Sequence, residues 1–141
     1  MKIYFATTVL GDRSAVRTGR RVLATLQELG HDVLTEHLFE EGAFESDSRL
    51  TPEQIFQRDM DWLTSAEAVI VEASGSSFGI GFETGYALGA LETPVCVLYD
   101  AVRADSISRM ALGLRHPRAE VLGYADADDA VRLVRERFGD V

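Results

Sequence analysis

Short β-rich runs alternate with longer helical stripes along the whole chain. Residues 2–8 (KIYFATT) read as a first strand, broken by Gly11-Asp12-Arg13-Ser14. Residues 16–29 follow with helical spacing, Val16, Leu23, Leu26 and Leu29 on one face and Gly30 as the stop. Residues 32–35 form a second strand. Residues 36–49 are acidic and turn-rich with little periodicity, which predicts a functional flap or a mobile surface loop. Thr51-Pro52-Glu53-Gln54 is a helix start: Thr51 the N-cap, Pro52 in the first helical position, Gln54 closing a capping box. That helix runs to about Ser65.

Residues 68–72 form a third strand, and a Ser/Gly turn leads into a helix over 81–91. Residues 94–99 are apolar throughout, as a central parallel strand should be. A short helix over 106–112, a strand over 119–122 and a helix over 126–138 close the chain. The last has Asp126 as N-cap and Val131, Val134 and Phe138 on one face. Strict β-α alternation predicts a single α/β domain over residues 1–141. Its expected fold is a flavodoxin-like, Rossmann-like, doubly wound five-stranded parallel sheet of order 2-1-3-4-5, with helices on both faces.

Two helical stripes carry a residue that does not belong there. Glu83 falls three after Ile80 and four before Ala87; Asp59 falls four after Ile55 and four before Leu63. A carboxylate on a core-facing stripe must be neutralised, paired or used. Each could be an ordinary acid capped by backbone groups, since structural ion pairs also bury acids. Together they fit a pair that divides acid and nucleophile roles. The run from Ser74 to Gly81, between strand and helix, could hold an anion through its serine hydroxyls, Ser76 included, and free helix N–H groups, or be a plain connection. Its glycines, Gly79, Gly81 and Gly85, do not match the dinucleotide fingerprint. Thr7 and Thr8 end the first strand where a ligand would touch them, or are simply β-branched strand residues. Tyr4 and Phe5 point to opposite faces, one to the core and one toward a pocket. Trp62 and Cys96 read as packing residues.

Composition narrows the function. Apolar residues at 46% and charged residues at 26% suit a soluble globular domain of this length. No run approaches the roughly 20 apolar residues of a membrane span, and the chain enters its first strand without a leader, so a cytoplasmic protein without membrane contact is expected. A net charge of −9 argues against a nucleic-acid binder but leaves room for a small nucleotide. One cysteine and the scattered His31, His37 and His116 give no metal-ligand spacing, and no cofactor is implied.

The runs Ile3-Tyr4-Phe5-Ala6, Leu34-Thr35-Glu36-His37, Asp59-Met60-Asp61-Trp62-Leu63, Ala68-Val69-Ile70-Val71-Glu72 and Ser77-Phe78-Gly79-Ile80-Gly81-Phe82-Glu83-Thr84-Gly85 resemble, in this order, the nucleoside 2-deoxyribosyltransferase superfamily. They are most similar to its branch of 2′-deoxynucleoside 5′-monophosphate N-glycosidases, over about residues 2–138. The resemblance implies hydrolysis of an N-glycosidic bond through a covalent intermediate, with Glu83 as nucleophile. Asp59 would assist base departure by protonation or by orienting the sugar, and Tyr4 would position the nucleophile. Thr8, Ser77, Gly79 and Gly81 would cradle the 5′-phosphate. Ser108, within Ser106-Ile107-Ser108-Arg109-Met110, would reach the phosphate of a neighbouring subunit, and Met110 would accompany it. The implied unit is therefore a homodimer with shared sites acting on a small nucleotide. The chain departs from the pattern at Leu10, where the branch has an arginine; Arg13 is the nearest basic residue that could stand in. The resemblance leaves a base-exchanging transferase on free deoxynucleosides as one alternative. A non-catalytic nucleotide-sensing module is another, and a flavodoxin-like electron carrier a more remote one.

Overall fold

A computed structural model describes residues 1–75 and 77–140. The strands are β1 (Lys2–Ala6), β2 (Asp32–Val33), β3 (Ala68–Glu72), β4 (Val95–Asp100) and β5 (Ala119–Tyr124). The helices are α1 (Val16–Glu28), α2 (Ala43–Ser48), α3 (Pro52–Ser65), α4 (Phe78–Tyr86), α5 (Arg109–Leu112) and α6 (Ala127–Phe138). The sheet has the order β2-β1-β3-β4-β5 with all neighbours parallel. This is the doubly wound architecture that the alternation predicts.

Strand side chains alternate between faces, so residue parity assigns each to one of two cores. Ile3, Phe5, Ala68, Ile70, Cys96 and Leu98 pack with Val22 and Leu26 of α1 and with Val134 and Phe138 of α6. Tyr4, Ala6, Val69, Val71, Val95 and Val97 pack on the other side with Leu63 of α3 and Ile80 of α4. Tyr4 therefore lies under the same two helices that bear Asp59 and Glu83. The predicted caps are present. Gln54 N–H donates to Thr51 Oγ1 at 3.2 Å, and Thr51 N–H to Gln54 Oε1 at 2.9 Å. Asp126 caps α6 through the Asp129 N–H.

The segment after β2 is not structureless. It holds a 3₁₀ turn, Glu36–Phe39, and the helix α2. Phe39 packs against Phe5 with ring centroids 4.4 Å apart, and Arg20 Nε donates to its carbonyl at 2.6 Å. Acidic composition hid these anchors, because only Leu38, Phe39 and Ala43 of the segment are buried. The expected second strand is cut short for a related reason. Thr35 is fully buried; its Oγ1 donates to the Phe5 carbonyl at 2.6 Å and accepts the Phe5 N–H at 3.0 Å. One side chain thus replaces a rung of backbone pairing.

Other boundaries shift too. The helix expected from Gly81 begins at Phe78 and ends in a π-helical turn, Ala87–Leu91, closed by Glu92 with φ of 56°. The short helix expected over 106–112 splits into a 3₁₀ turn, Ala101–Ser106, and α5, because Asp100 and Ser108 each cap a separate turn.

Replacing Thr35 by valine keeps the shape and strands both polar groups of Phe5. A loss of about 2–4 kcal/mol is expected in urea unfolding, and a change below about 0.5 kcal/mol would show that the two bonds add nothing.

Candidate active site

The carboxyl ends of the parallel strands open onto one edge, where ligands bind in open α/β sheets. A cavity of about 670 Å³ lies there, walled by the loop after β1, by α2 and α3, and by the start of α4. Both misplaced carboxylates line it: Asp59 from α3 and Glu83 from α4. Tyr4, 1% exposed beneath them, donates its hydroxyl to Glu83 Oε1 at 2.9 Å. Strand parity and helix spacing thus bring the three proposed catalytic residues together from positions far apart in sequence.

Their electrostatics follow from burial. Desolvation pushes Glu83 up to about 7, the Tyr4 hydrogen bond pulls it down, and the Asp59 charge raises it again. Burial also raises Asp59, against the pull of Arg58. Tyr4 is held far above the ordinary phenol range, first by burial and then by the two carboxylates, so it remains a hydrogen-bond donor.

Thr8, Ser77 and Gly79 line the same cavity. Ser77 caps α4 by accepting the Ile80 N–H at 3.3 Å, and the Phe78 and Gly79 amides of that first turn have no partner within the helix. Gly81 differs from expectation. Because α4 starts three residues earlier, its N–H is spent inside the helix on the Ser77 carbonyl at 3.3 Å. Ser76 lies outside the described residues. Ser108 and Met110 do not reach this cavity. They line a separate groove of about 300 Å³ between α4 and α5, which Ser77 also borders, and Met110 is 89% exposed.

Arg13 does not face the cavity. Its guanidinium donates to the Thr8 carbonyl at 2.8 Å and the Leu38 carbonyl at 3.0 Å, bracing the loop from outside. Leu10 is at the cavity wall and largely exposed. Among the described lining residues there are three carboxylates, Asp47, Asp59 and Glu83, and no lysine, arginine or histidine. Gly75 holds the β3 loop against the β1 loop: a Cβ there would meet the Asp12 carbonyl oxygen at 2.0 Å. Among the described residues no group of three or more His, Cys, Asp or Glu could hold a metal ion, and no helix is long and apolar enough to cross a membrane.

Two groups of residues escaped the sequence reading. Arg58, Asp47, His37 and Trp62 cluster behind Asp59, with Arg58 Nε donating to Asp59 Oδ1 at 2.8 Å. Adjacent helix residues do not ordinarily face each other, so spacing gave no hint of that bond. Asp47 comes from the segment without periodicity. The second group is Glu72, 2% exposed, which accepts the Ser74 N–H at 2.8 Å and the Tyr124 hydroxyl at 3.0 Å. A charged residue ending an apolar strand was its only visible signal. Ser74 Oγ in turn accepts the Asp100 N–H at 2.8 Å, fixing the turn below Ser77.

A parallel sheet with a carboxylate pair beside a cavity at its carboxyl edge is an α/β fold with its candidate site where open sheets bind ligands. The family model for nucleoside 2-deoxyribosyltransferase matches residues 3–133, and the chain belongs to that family. It is 34% identical over 131 residues to a Thermofilum pendens protein named as a 2′-deoxynucleoside 5′-phosphate N-hydrolase, covering 93% of this chain and 90% of that one. It is 34% identical over 116 residues to the 5-hydroxymethyl-dUMP N-hydrolase of Esox lucius, covering 80% and 79%. The solved structure of Clostridium botulinum CMP N-glycosidase shares the fold, with a TM-score of 0.70, 16% identity and coverage of 97% and 99%.

The raised Glu83 has a thermodynamic signature. Its folded-state value, about 7, exceeds its ordinary 4.5. Its contribution is therefore fully present below about pH 4.5 and lost as pH rises through 7. Glu83→Gln should gain stability relative to wild type between pH 5 and 8, on the order of 2 kcal/mol. Urea midpoints of both proteins across that range measure this; a pH-independent difference would mean that Glu83 titrates like an exposed acid.

Proposed function

We propose that this chain is an N-glycosidase of (deoxy)nucleoside 5′-monophosphates, releasing free base and (deoxy)ribose 5-phosphate through a covalent glycosyl-Glu83 intermediate. The observation that supports it most is the Tyr4–Glu83 hydrogen bond of 2.9 Å with Asp59 on the same cavity wall. A glycosidic centre needs a carboxylate near C1′, held in one orientation, and a second group for the leaving base.

In the first step Glu83 attacks C1′ as the C1′–N bond breaks. The electron pair leaves on the base nitrogen, which takes a proton from Asp59 or from water. The transition state resembles an oxocarbenium ion, and a deoxyribosyl centre forms one readily because no 2′-hydroxyl withdraws electrons. The Glu83 charge stabilises it, and the buried Tyr4 hydroxyl holds the carboxylate without competing as an acid. In the second step water adds to C1′, its proton passes to the site or solvent, and the Glu83–C1′ ester bond opens to restore the carboxylate. Thr8, Ser77 and the first-turn amide of Gly79 bind the 5′-phosphate. In a homodimer, Ser108 and the exposed Met110 complete the partner's site.

One observation favours a second reading. A cavity with three carboxylates and no cation among its described lining suits an uncharged sugar better than a phosphate dianion. That would make the chain a transferase exchanging bases on free deoxynucleosides.

The deciding assay incubates the protein with deoxy- and ribonucleosides, with and without 5′-phosphate and with and without a second base, and follows free base by chromatography. The proposed hydrolase requires the 5′-phosphate and needs no acceptor; a transferase acts on free deoxynucleosides only with an acceptor base. Glu83→Gln should lower base release by about 10³-fold or more, and Asp59→Asn by roughly 10²-fold. Wild-type turnover in Glu83→Gln would eliminate the covalent route.

A further inference from the structure

Arg58 is one of the best-connected side chains near the cavity, yet it does not line it. Its Nε donates to Asp59 Oδ1 and its Nη1 to Asp47 Oδ1, both at 2.8 Å. The guanidinium lies over the Trp62 ring, 5.1 Å from its centroid. The His37 ring is 5.3 Å from the same indole, with its Nε2 3.7 Å from Asp47 Oδ1. The four charged or titratable members are only 14–24% exposed. Burial opposes the Arg58 charge, but the bonds to Asp47 and Asp59 outweigh it and hold the guanidinium protonated.

We infer that Arg58 is the positioning residue of this site: its planar fork fixes the Asp59 carboxylate and ties it to Asp47 on the cavity's outer wall. A lysine could supply the charge but not two divergent, coplanar bonds. Trp62 closes one face of the guanidinium, which restricts its rotation. Asp47 belongs to α2 and lines the cavity itself. A substrate that presses on the α2 wall is therefore connected to Asp59 through two consecutive hydrogen bonds. Phe39 anchors the front of the 36–48 segment, while Asp47 at its far end and the orientation of Asp59 are tied by the same cation. The inference takes Asp59 as a working group of the glycosidase proposed above.

Two independent measurements test it. Asp59 faces Arg58, Asp47, His37, Glu83 and Tyr4. Removing the one fixed cation of that set should raise the Asp59 titration by about one pH unit or more in Arg58→Gln, read by side-chain carboxyl ¹³C resonances. Arg58→Lys should bring that titration back toward wild type without restoring turnover. In the base-release assay, Arg58→Gln should lower kcat roughly 10- to 100-fold with a smaller change in KM. Asp47→Ala should lower it less, and the double variant should be no worse than Arg58→Gln alone, because both act through one connection. An unmoved Asp59 titration, full activity in Arg58→Lys, or multiplicative losses in the double variant would overturn the inference. If wild type releases no base from any nucleotide, the glycosidase reading fails, while the Asp59 titration still decides the role of Arg58.

Discussion

Two acids on one low-dielectric wall are the constraint around which this molecule is arranged. Glu83 and Asp59 each lose solvation, and each repels the other. Among the described residues that line the cavity with them there is no cation. The fold relieves the strain from two sides, with a phenol beneath Glu83 and a guanidinium behind Asp59. Because the supports differ, so do the acids: one is held by a neutral donor, the other by a charge. A pair separated in this way can divide nucleophile and acid or orienting roles, which two equivalent carboxylates could not.

The strand pattern transmits this requirement to the core. Tyr4 can reach Glu83 only because its parity sets it on the α3/α4 face, while Ile3 and Phe5 build the α1/α6 face. That much was legible in the residues: β-rich runs alternated with helical stripes, and two carboxylates sat where leucines belong. Thr51 and Asp126 announced their helices for the same reason, since a cap is a local bond. Contacts between segments without a period were not legible. Thr35 standing in for a strand rung, Phe39 packed on Phe5, and Asp47 meeting Arg58 each join residues whose spacing carries no signal. The first turn of α4 already places Ile80 in the core, but Gly79 and Gly81 on either side of it are poor helix formers and disguise the helix start, so Gly81 falls inside the helix rather than at its opening.

The phosphate end of the proposed site uses a different chemistry from the catalytic end. Hydroxyls and helix amides are dipoles, and they discriminate by direction rather than by charge. Leu10 adds nothing polar, and Arg13 spends its donors on carbonyls of the loop and of the 3₁₀ turn. The chain's net charge of −9 makes local dipoles still more important there, since the overall field opposes an anion.

The contact at Gly75 has a consequence for how this pocket can diverge. The loops after β1 and β3 meet backbone to backbone, and Arg103 ties Asp12 and Ser14 to the turn after β4. The path of the β1 loop is therefore held at Asp12 and Ser14 from outside the cavity, and within it by Thr8 Oγ1, which accepts the Gly11 N–H at 2.8 Å. Side chains such as Leu10 can be exchanged on that path without redrawing it. Substrate preference becomes a matter of decoration on a fixed template, open to change one residue at a time while the wall of carboxylates opposite stays as it is.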